Sequence, residues 1–537
     1  MPGETVVAGA AGPARSPAAG PPSAHLQTLV RSGALSVVGA LVSAVAGVGL
    51  VAVLTQGLSR DVAGTIFAST ALFLIATSVV QLGAEVGLVR YLPMQLATGR
   101  VADVLPTLRT AVLPVAALSV VVGAAAAVAA PVLAPLVAGD EHGEAVAGQI
   151  RVLAVFLPVA ALLNVVLAAT RGCRTMRPTV AVESLGRTLL QLLTVGAAVL
   201  CGAAATGVVL AWSVPYVVAL AAAVWWLARL LARARSGPPA GSSAGGDEAP
   251  PTSFWRFTAP RAVAGIAQTL LKRSDIVLVA ALRSPAEAAL YTAATRFVVF
   301  GQLGVQALQQ ALAPQLSALF ARGETRAAQE VYETATAWSI LFAWPVYLGC
   351  ALLAPLLLGL FGPGYEGAST VVVVLSLAML VATASGAVDT VLLMSGRSWL
   401  SLADVGAALA VNVTLNLLLI PSHGILGAAL AWAAAIVVRN ALPLAQIRWS
   451  LQMSPLGPGT VWVAASALAC LALPAGTLRL LGAGPAVVLL ALVLGLVAYA
   501  GLLAVGRERV RLAALAQTLR RGRGPVPQPA ASATGEG

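Results

Sequence analysis

Several charged residues of this chain lie inside long apolar runs, and their chemistry has to be accounted for first. Arg296 falls within the run 288–312, and Lys272, Arg273 and Asp275 fall within 258–281. Glu85 and Arg90 sit near the end of 65–88, and Glu183 and Arg187 lie in 179–201. Asp389 belongs to 369–393, Asp404 to 400–419 and Arg439 to 424–446. An ionisable group in hydrocarbon costs several kcal/mol and is kept where it faces a cavity or a partner. Guanidinium groups grip phosphate oxygens through planar, paired N–H donors, so a cation-rich set of this kind suits an anionic ligand. Arg296 is the first candidate, with Lys272, Arg273 and Arg90 beside it. Arg296 has a second reading, a buried pair with Asp275 that pins two helices. Lys272 and Arg273 have one too, snorkelling to the membrane surface. Glu183 and Arg187 stand at i and i+4, where they can pair on one helix face. Asp275, Asp389, Asp404 and Glu85 are candidate carboxylates for ion coupling or for holding helices together. Asn164, Asn412 and Asn416 fit the role of polar links between helices.

Other chemistry is missing. The four cysteines, Cys173, Cys201, Cys350 and Cys470, are isolated, with no metal-ligand spacing among them. The histidines His25, His142 and His423 are far apart. The run Gly139–Glu144 carries metal-capable side chains, but in a short loop that reads as a solvated turn. No metal site, catalytic triad or phosphate-binding loop is expected, and neither a cofactor nor an enzymatic activity.

The elements that must position these charges are membrane helices. Hydrophobic residues make up 59% of the 537 and charged ones only 10%, too few to cover a soluble protein of this size. A bilayer core about 30 Å thick needs roughly 20 apolar residues per helix. Fourteen runs qualify: 33–54, 65–88, 108–136, 150–170, 179–201, 206–228, 258–281, 288–312, 334–358, 369–393, 400–419, 424–446, 459–480 and 484–505. With the N-terminus inside, 25 of the 32 basic residues fall in cytoplasmic segments, and only Arg60, Arg283 and Arg479 in external loops. That bias sets topology, so both termini are expected in the cytoplasm. The net charge of +12 is then mostly topology signal and attraction to anionic lipid headgroups. The Arg-rich tail has no interleaved aromatics, and no nucleic-acid partner is expected.

The chain divides into a disordered N-terminus (1–30), a first lobe (31–231), a linker rich in Gly, Ser and Pro (232–256), a second lobe (257–450), two further helices (451–506) and a basic tail (507–537). The lobes read as copies. Gly172 and Gly396 are 224 residues apart, as are Phe67 and Tyr291; Pro93 and Pro314 are 221 apart. Repeats of this kind pack about a pseudo-two-fold axis with a site between them. Prolines at 114, 158, 215, 345 and 443 can kink the spans they occupy.

Three stretches carry a resemblance to a known family. They are Leu88–Pro93, Asp275–Leu278 followed by Pro285–Glu287 and Leu290–Arg296, and Leu393–Arg397 followed by Leu417–Ala429, which holds Leu-Ile-Pro, a short turn and Gly-Ile-Leu-Gly-Ala-Ala. Together they resemble the polysaccharide-exporter branch of the multidrug/oligosaccharidyl-lipid/polysaccharide (MOP) superfamily over about residues 33–450. Ala288-Ala289 departs from that pattern, which carries Gly before the tyrosine. The resemblance implies a monomeric all-α membrane protein of about 14 helices, with two six-helix lobes around a central cavity plus two C-terminal helices. It implies a flippase of a bacterial inner membrane for sugar chains on a polyprenyl (pyro)phosphate, working by alternating access and drawing on a coupling proton or cation. A multidrug or metabolite antiporter of the same superfamily is the alternative. A membrane glycosyltransferase or polymerase is a further one, disfavoured by the short external loops.

Overall fold

The computed structural model of the protein describes residues 22–235 and 251–511. The first half holds α1 (Pro22–Gly57), α2 (Arg60–Val80), α3 (Ala84–Ala97), α4 (Val104–Ala138) and α5 (Gly143–Gly172), then a π-helical segment (Thr179–Arg187) running into α6 (Thr188–Leu200), and α7 (Ala205–Arg235). The second half holds α8 (Pro251–Leu282), α9 (Pro285–Thr295), α10 (Val298–Ala321), α11 (Thr325–Leu352), α12 (Ala354–Gly359), α13 (Ser369–Ala384), α14 (Val388–Met394) and α15 (Ser398–Leu451). The chain ends with α16 (Pro458–Ala467), a π-helical turn (Leu468–Ala472), α17 (Leu473–Leu480) and α18 (Pro485–Val505). No strand occurs among the described residues. The expected N-terminal segment, linker and tail fall partly outside these residues, with Arg15, Arg520, Arg521 and Arg523. Where they are described, helix reaches further than expected: α1 already begins at Pro22 and α8 at Pro251. A proline in the first turn lacks only an N–H that would go unused there.

The outer surface is apolar. Leu200, Val128 and Leu480 are each more than 80% exposed, the inverse of a water-soluble protein and the expected face toward lipid. Ten stretches of the described residues are long and apolar enough to cross a membrane. One of them, Trp399–Leu451, doubles back: Gly424 takes φ 55°, ψ −135°, and Gly427 lies against the backbone of Leu419. This is the turn expected between 400–419 and 424–446. The helices at 179–200, 251–282 and 285–321 are not among the ten, and all three supply charged cavity residues. Together they give about fourteen passes.

Two passes are broken at matching places. Between α2 and α3 the chain turns at Leu82 and Gly83, with φ of 51° and 69°. Gly83 is tucked against the carbonyl of Thr258, where a side chain has no room, so this turn requires glycine. Between α9 and α10 the helix lapses at Arg296 and Phe297, and the Arg296 N–H bonds to the Ala293 carbonyl instead of continuing the ladder. Both passes begin with a serine cap, Ser59 on Val62 and Ser284 on Glu287, and both resume in a helix carrying the repeat prolines, Pro93 and Pro314. The sequence reading expected continuous helices at 65–88 and 288–312. Their hydropathy is continuous, but the backbone is not.

At one end of the bundle the halves are sealed. Gly64 of α2 abuts the carbonyl of Pro285 so closely that no Cβ fits. The Gln56 amide donates to the Leu360 carbonyl at 2.7 Å and Arg60 to the Pro363 carbonyl at 2.7 Å, and the Arg60 guanidinium lies 5.6 Å over the Tyr365 ring. Within the second half, Arg283 pairs with Glu287 at 3.1 Å and reaches the Pro421 carbonyl. At the opposite end the halves meet where α3 crosses α8, with Tyr91 5.6 Å from Phe254 and Gly87 beneath the same ring.

Candidate functional site: a cationic cavity

Inside the bundle is a cavity of about 450 Å³. Its walls come from α1, α2, the π-helical segment, α6 and α7 of the first half, and are completed by α8, α9 and Arg296 of the second. The site is therefore built by both halves but set mostly within the first. Three guanidinium groups line it, those of Arg187, Arg273 and Arg296, with Glu183 as the one acidic side chain in the wall.

The three cations are held differently. Arg296 caps the end of α9 at the helix break, and its Nε reaches only the carbonyl of Thr292, at 3.4 Å. Neither Arg273 nor Arg296 has a carboxylate at ion-pair distance among the described residues. Arg187 does: its Nε and Nη2 donate to Glu183 Oε1 at 3.0 and 2.5 Å, its Nη1 to Gln191 Oε1 at 2.6 Å. The Gln191 amide is itself fixed by donating to the Trp212 carbonyl at 2.9 Å. Arg187 also lies 4.8 Å over the ring of Tyr216. Phe73 meets Trp212 and Tyr216 edge to face, and those two meet at a tilt, with centroids 5.3–5.9 Å apart, which stiffens this wall.

A second cavity of about 370 Å³ lies beside the first. It is more polar, lined by Thr77, Ser78, Gln81, Glu85, Asn164, Gln268, Thr269 and Lys272. Leu74 and Arg273 line both cavities, so Arg273 stands at the partition between them.

The structure thus brings Arg296 and Arg273 into one chamber, with Lys272 and Glu85 next door. It does not bring Arg90 there. The turn at 82–83 redirects α3, and Arg90 is exposed, its guanidinium 4.0 Å over Phe257 and 5.9 Å over Tyr91. Asp275 is buried but does not pair with Arg296: it accepts the Tyr291 hydroxyl at 2.6 Å. Asp389 pairs with Arg439 at 3.2 Å, and Asp404 accepts the Gln446 amide at 2.7 Å; neither lines either cavity. Asn416 donates to Asn412 at 3.1 Å, both buried in α15. Arg187, Gln191, Tyr216 and Trp212 were not among the expected site residues. The signal was present for two of them, since Glu183, Arg187 and Gln191 form a polar stripe at intervals of four in an apolar run.

The Asp275–Tyr291 bond ties α8 to α9 directly behind the cavity. Removing one partner leaves a buried carboxylate without a donor, which costs roughly 3 kcal/mol. Tyr291→Phe is expected to lower the melting temperature of the purified protein. Adding Asp275→Ala to that variant should recover most of the loss. Equal melting of Tyr291→Phe and wild type would show that the bond does not hold the helices.

The family described as polysaccharide biosynthesis protein matches residues 71–370, more than half of the chain. The chain belongs to that family. The chain is also similar to a probable low-salt glycan biosynthesis flippase, Agl15, of Haloferax volcanii, 24% identical over 198 residues. The match covers 35% of the chain and 40% of that relative, so it spans well under half of the relative's length. Among solved structures it resembles the lipid II flippase MurJ in an inward closed conformation, with TM-score 0.69, 10% identity, and 88% and 98% of the two chains covered. It also resembles an inward-facing multidrug resistance MATE family transporter of the MOP superfamily, with TM-score 0.63, 13% identity, and 76% and 94% covered. At these identities the likeness is one of fold. The chain is a multi-pass membrane protein that shares the fold of these transporters.

Proposed function

We propose that this chain is a flippase that carries a polyprenyl-(pyro)phosphate-linked oligosaccharide across the cell membrane by alternating access. The observation that carries the reading is the pair of cavity arginines, Arg273 and Arg296, with no carboxylate at ion-pair distance among the described residues. A cation kept without a counter-ion in a low-dielectric space is expensive unless a ligand supplies the anion. A diphosphate headgroup does so. Three guanidinium groups against one carboxylate disfavour the cationic substrates of a drug antiporter. The polar second cavity with Lys272 offers an approach, and Arg273 at the partition can hand the phosphate onward. The aromatic wall of Trp212 and Tyr216 suits the face of a sugar. Lobes bounded at 31–231 and 257–450 rock about this chamber. The basic segments face the cytoplasm with both termini, and the sealed end lies outside. The chain acts as a monomeric transporter without catalysing a reaction, driven by a coupling proton or cation.

Reconstitution into vesicles with a fluorescent polyprenyl-diphosphate oligosaccharide tests the reading. The labelled headgroup should move between leaflets in protein-containing vesicles and stay put in empty ones. Equal rates in the two would remove the proposal.

A further inference from the structure

The tethering of Arg187 sets it apart from its neighbours. All three nitrogens of its guanidinium are engaged by protein acceptors, two donating to one oxygen of Glu183. The other oxygen, Oε2, is buried with no hydrogen-bond partner among the described residues, although Glu183 lines the chamber. Glu183 is itself fixed in place. Thr188 Oγ1 donates to its carbonyl at 3.1 Å, and Ser43 of α1 donates to the carbonyl of Ser184 at 2.8 Å. Both Glu183 and Arg187 belong to the nine-residue π-helical segment, a conformation that concentrates at functional sites. The ion pair itself joins two residues of one segment; the link to α7 is made separately, by Arg187 over the Tyr216 ring and by Gln191 on the Trp212 carbonyl.

We propose that Glu183 is the internal counter-anion of the empty carrier. It holds Arg187 until a substrate phosphate displaces it, and it takes Arg187 back when the substrate leaves. The proposal rests on the flippase reading and names how its site is regulated. A phosphate offers the same paired acceptor geometry as a carboxylate, so it can replace Oε1 on Arg187 without moving the guanidinium far. Displaced, the carboxylate stays in the chamber wall, where water can reach it. Competition of this kind weakens binding, and a carrier needs that: a site must be favourable enough to fill and weak enough to empty. Arg273 and Arg296 supply the attraction, and Glu183 supplies the release.

The probe is farnesyl diphosphate, titrated calorimetrically into the purified full-length protein, with flipping measured in parallel in vesicles. Glu183→Gln keeps the shape and removes the charge. It should bind the probe about tenfold more tightly than wild type, while the flipping rate at saturating substrate falls. A merely structural pair gives the opposite, weaker binding and a lower melting temperature. Wild-type or weaker binding by Glu183→Gln, with binding lost in Arg296→Ala, overturns the counter-anion role and leaves the site reading standing. Absence of binding in wild type overturns both. If Glu183→Gln does not fold, Glu183→Asp, which lengthens the bridge, must show tighter binding; unchanged binding in that variant overturns the proposal.

Discussion

Replacing Arg273 and Arg296 together with alanine will reduce flipping of a lipid-linked diphosphate to the background of empty vesicles. Each guanidinium is free to make charge-assisted hydrogen bonds to phosphate, worth about 1.5–3 kcal/mol apiece. Loss of one then slows transport at low substrate by roughly 10- to 150-fold. The double variant should lose more than either single, because the two line one chamber and act on one ligand. Stability should move the other way. Removing a cavity-lining cation with no carboxylate at ion-pair distance among the described residues relieves a desolvation cost, so each single variant should melt at or above the wild-type temperature. Arg90→Ala is the control: its side chain stacks outside the chamber on Phe257, and transport should stay within about twofold of wild type. If the double variant flips substrate like wild type, the chamber is not the path.

The second large effect concerns the sealed end. Gly64→Leu places a side chain where the Pro285 carbonyl sits, and the close approach of α2 and α9 depends on the lack of one. The two helices must separate, which breaks the neighbouring bonds of Gln56 to Leu360 and Arg60 to Pro363. A carrier that cannot seal this end cannot complete its cycle, so flipping should fall more than tenfold in a protein that still folds. Spin labels on Gln56→Cys and Leu360→Cys, with the four native cysteines replaced by alanine, should report a longer separation in Gly64→Leu. An unchanged distance with normal transport would mean the seal is not part of the cycle.

The number and order of passes were legible because hydrocarbon leaves a strong mark: about 20 apolar residues, then a basic turn. The repeat was legible from spacings such as Phe67 to Tyr291, and the structure sets those residues in α2 and α9, the two interrupted passes. The interruptions were not legible. Leu82 adopts a positive φ that leucine rarely takes, and only the neighbouring Gly83 hinted at it. Arg296 was recognised as a buried cation from its place in an apolar run. Its position at a helix end depends on how α9 and α10 pack, which hydropathy does not encode. The pairing of Asp275 with Tyr291, 16 residues on, also comes from two helices meeting; the linear sequence offers Arg296 as its partner in only one of two readings and does not point to Tyr291. Glu183 and Arg187 pair as their spacing of four suggested. Which face of their segment lines the chamber is set by α1 and α7, and no local pattern carries that information.

The two interrupted passes have a mechanical consequence. A continuous rod carries torque from one end to the other, whereas a rod cut near its middle flexes at the cut. With α2 and α9 each severed from the helix that follows, the upper pieces can stay docked while α3 and α10 swing, and the bending concentrates at residues 81–83 and 296–297. Arg296 sits on one of these pivots. On the proposed reading, a cargo gripped by its guanidinium would brace that joint and letting go would loosen it, so one side chain would both bear the load and set how stiffly the molecule bends.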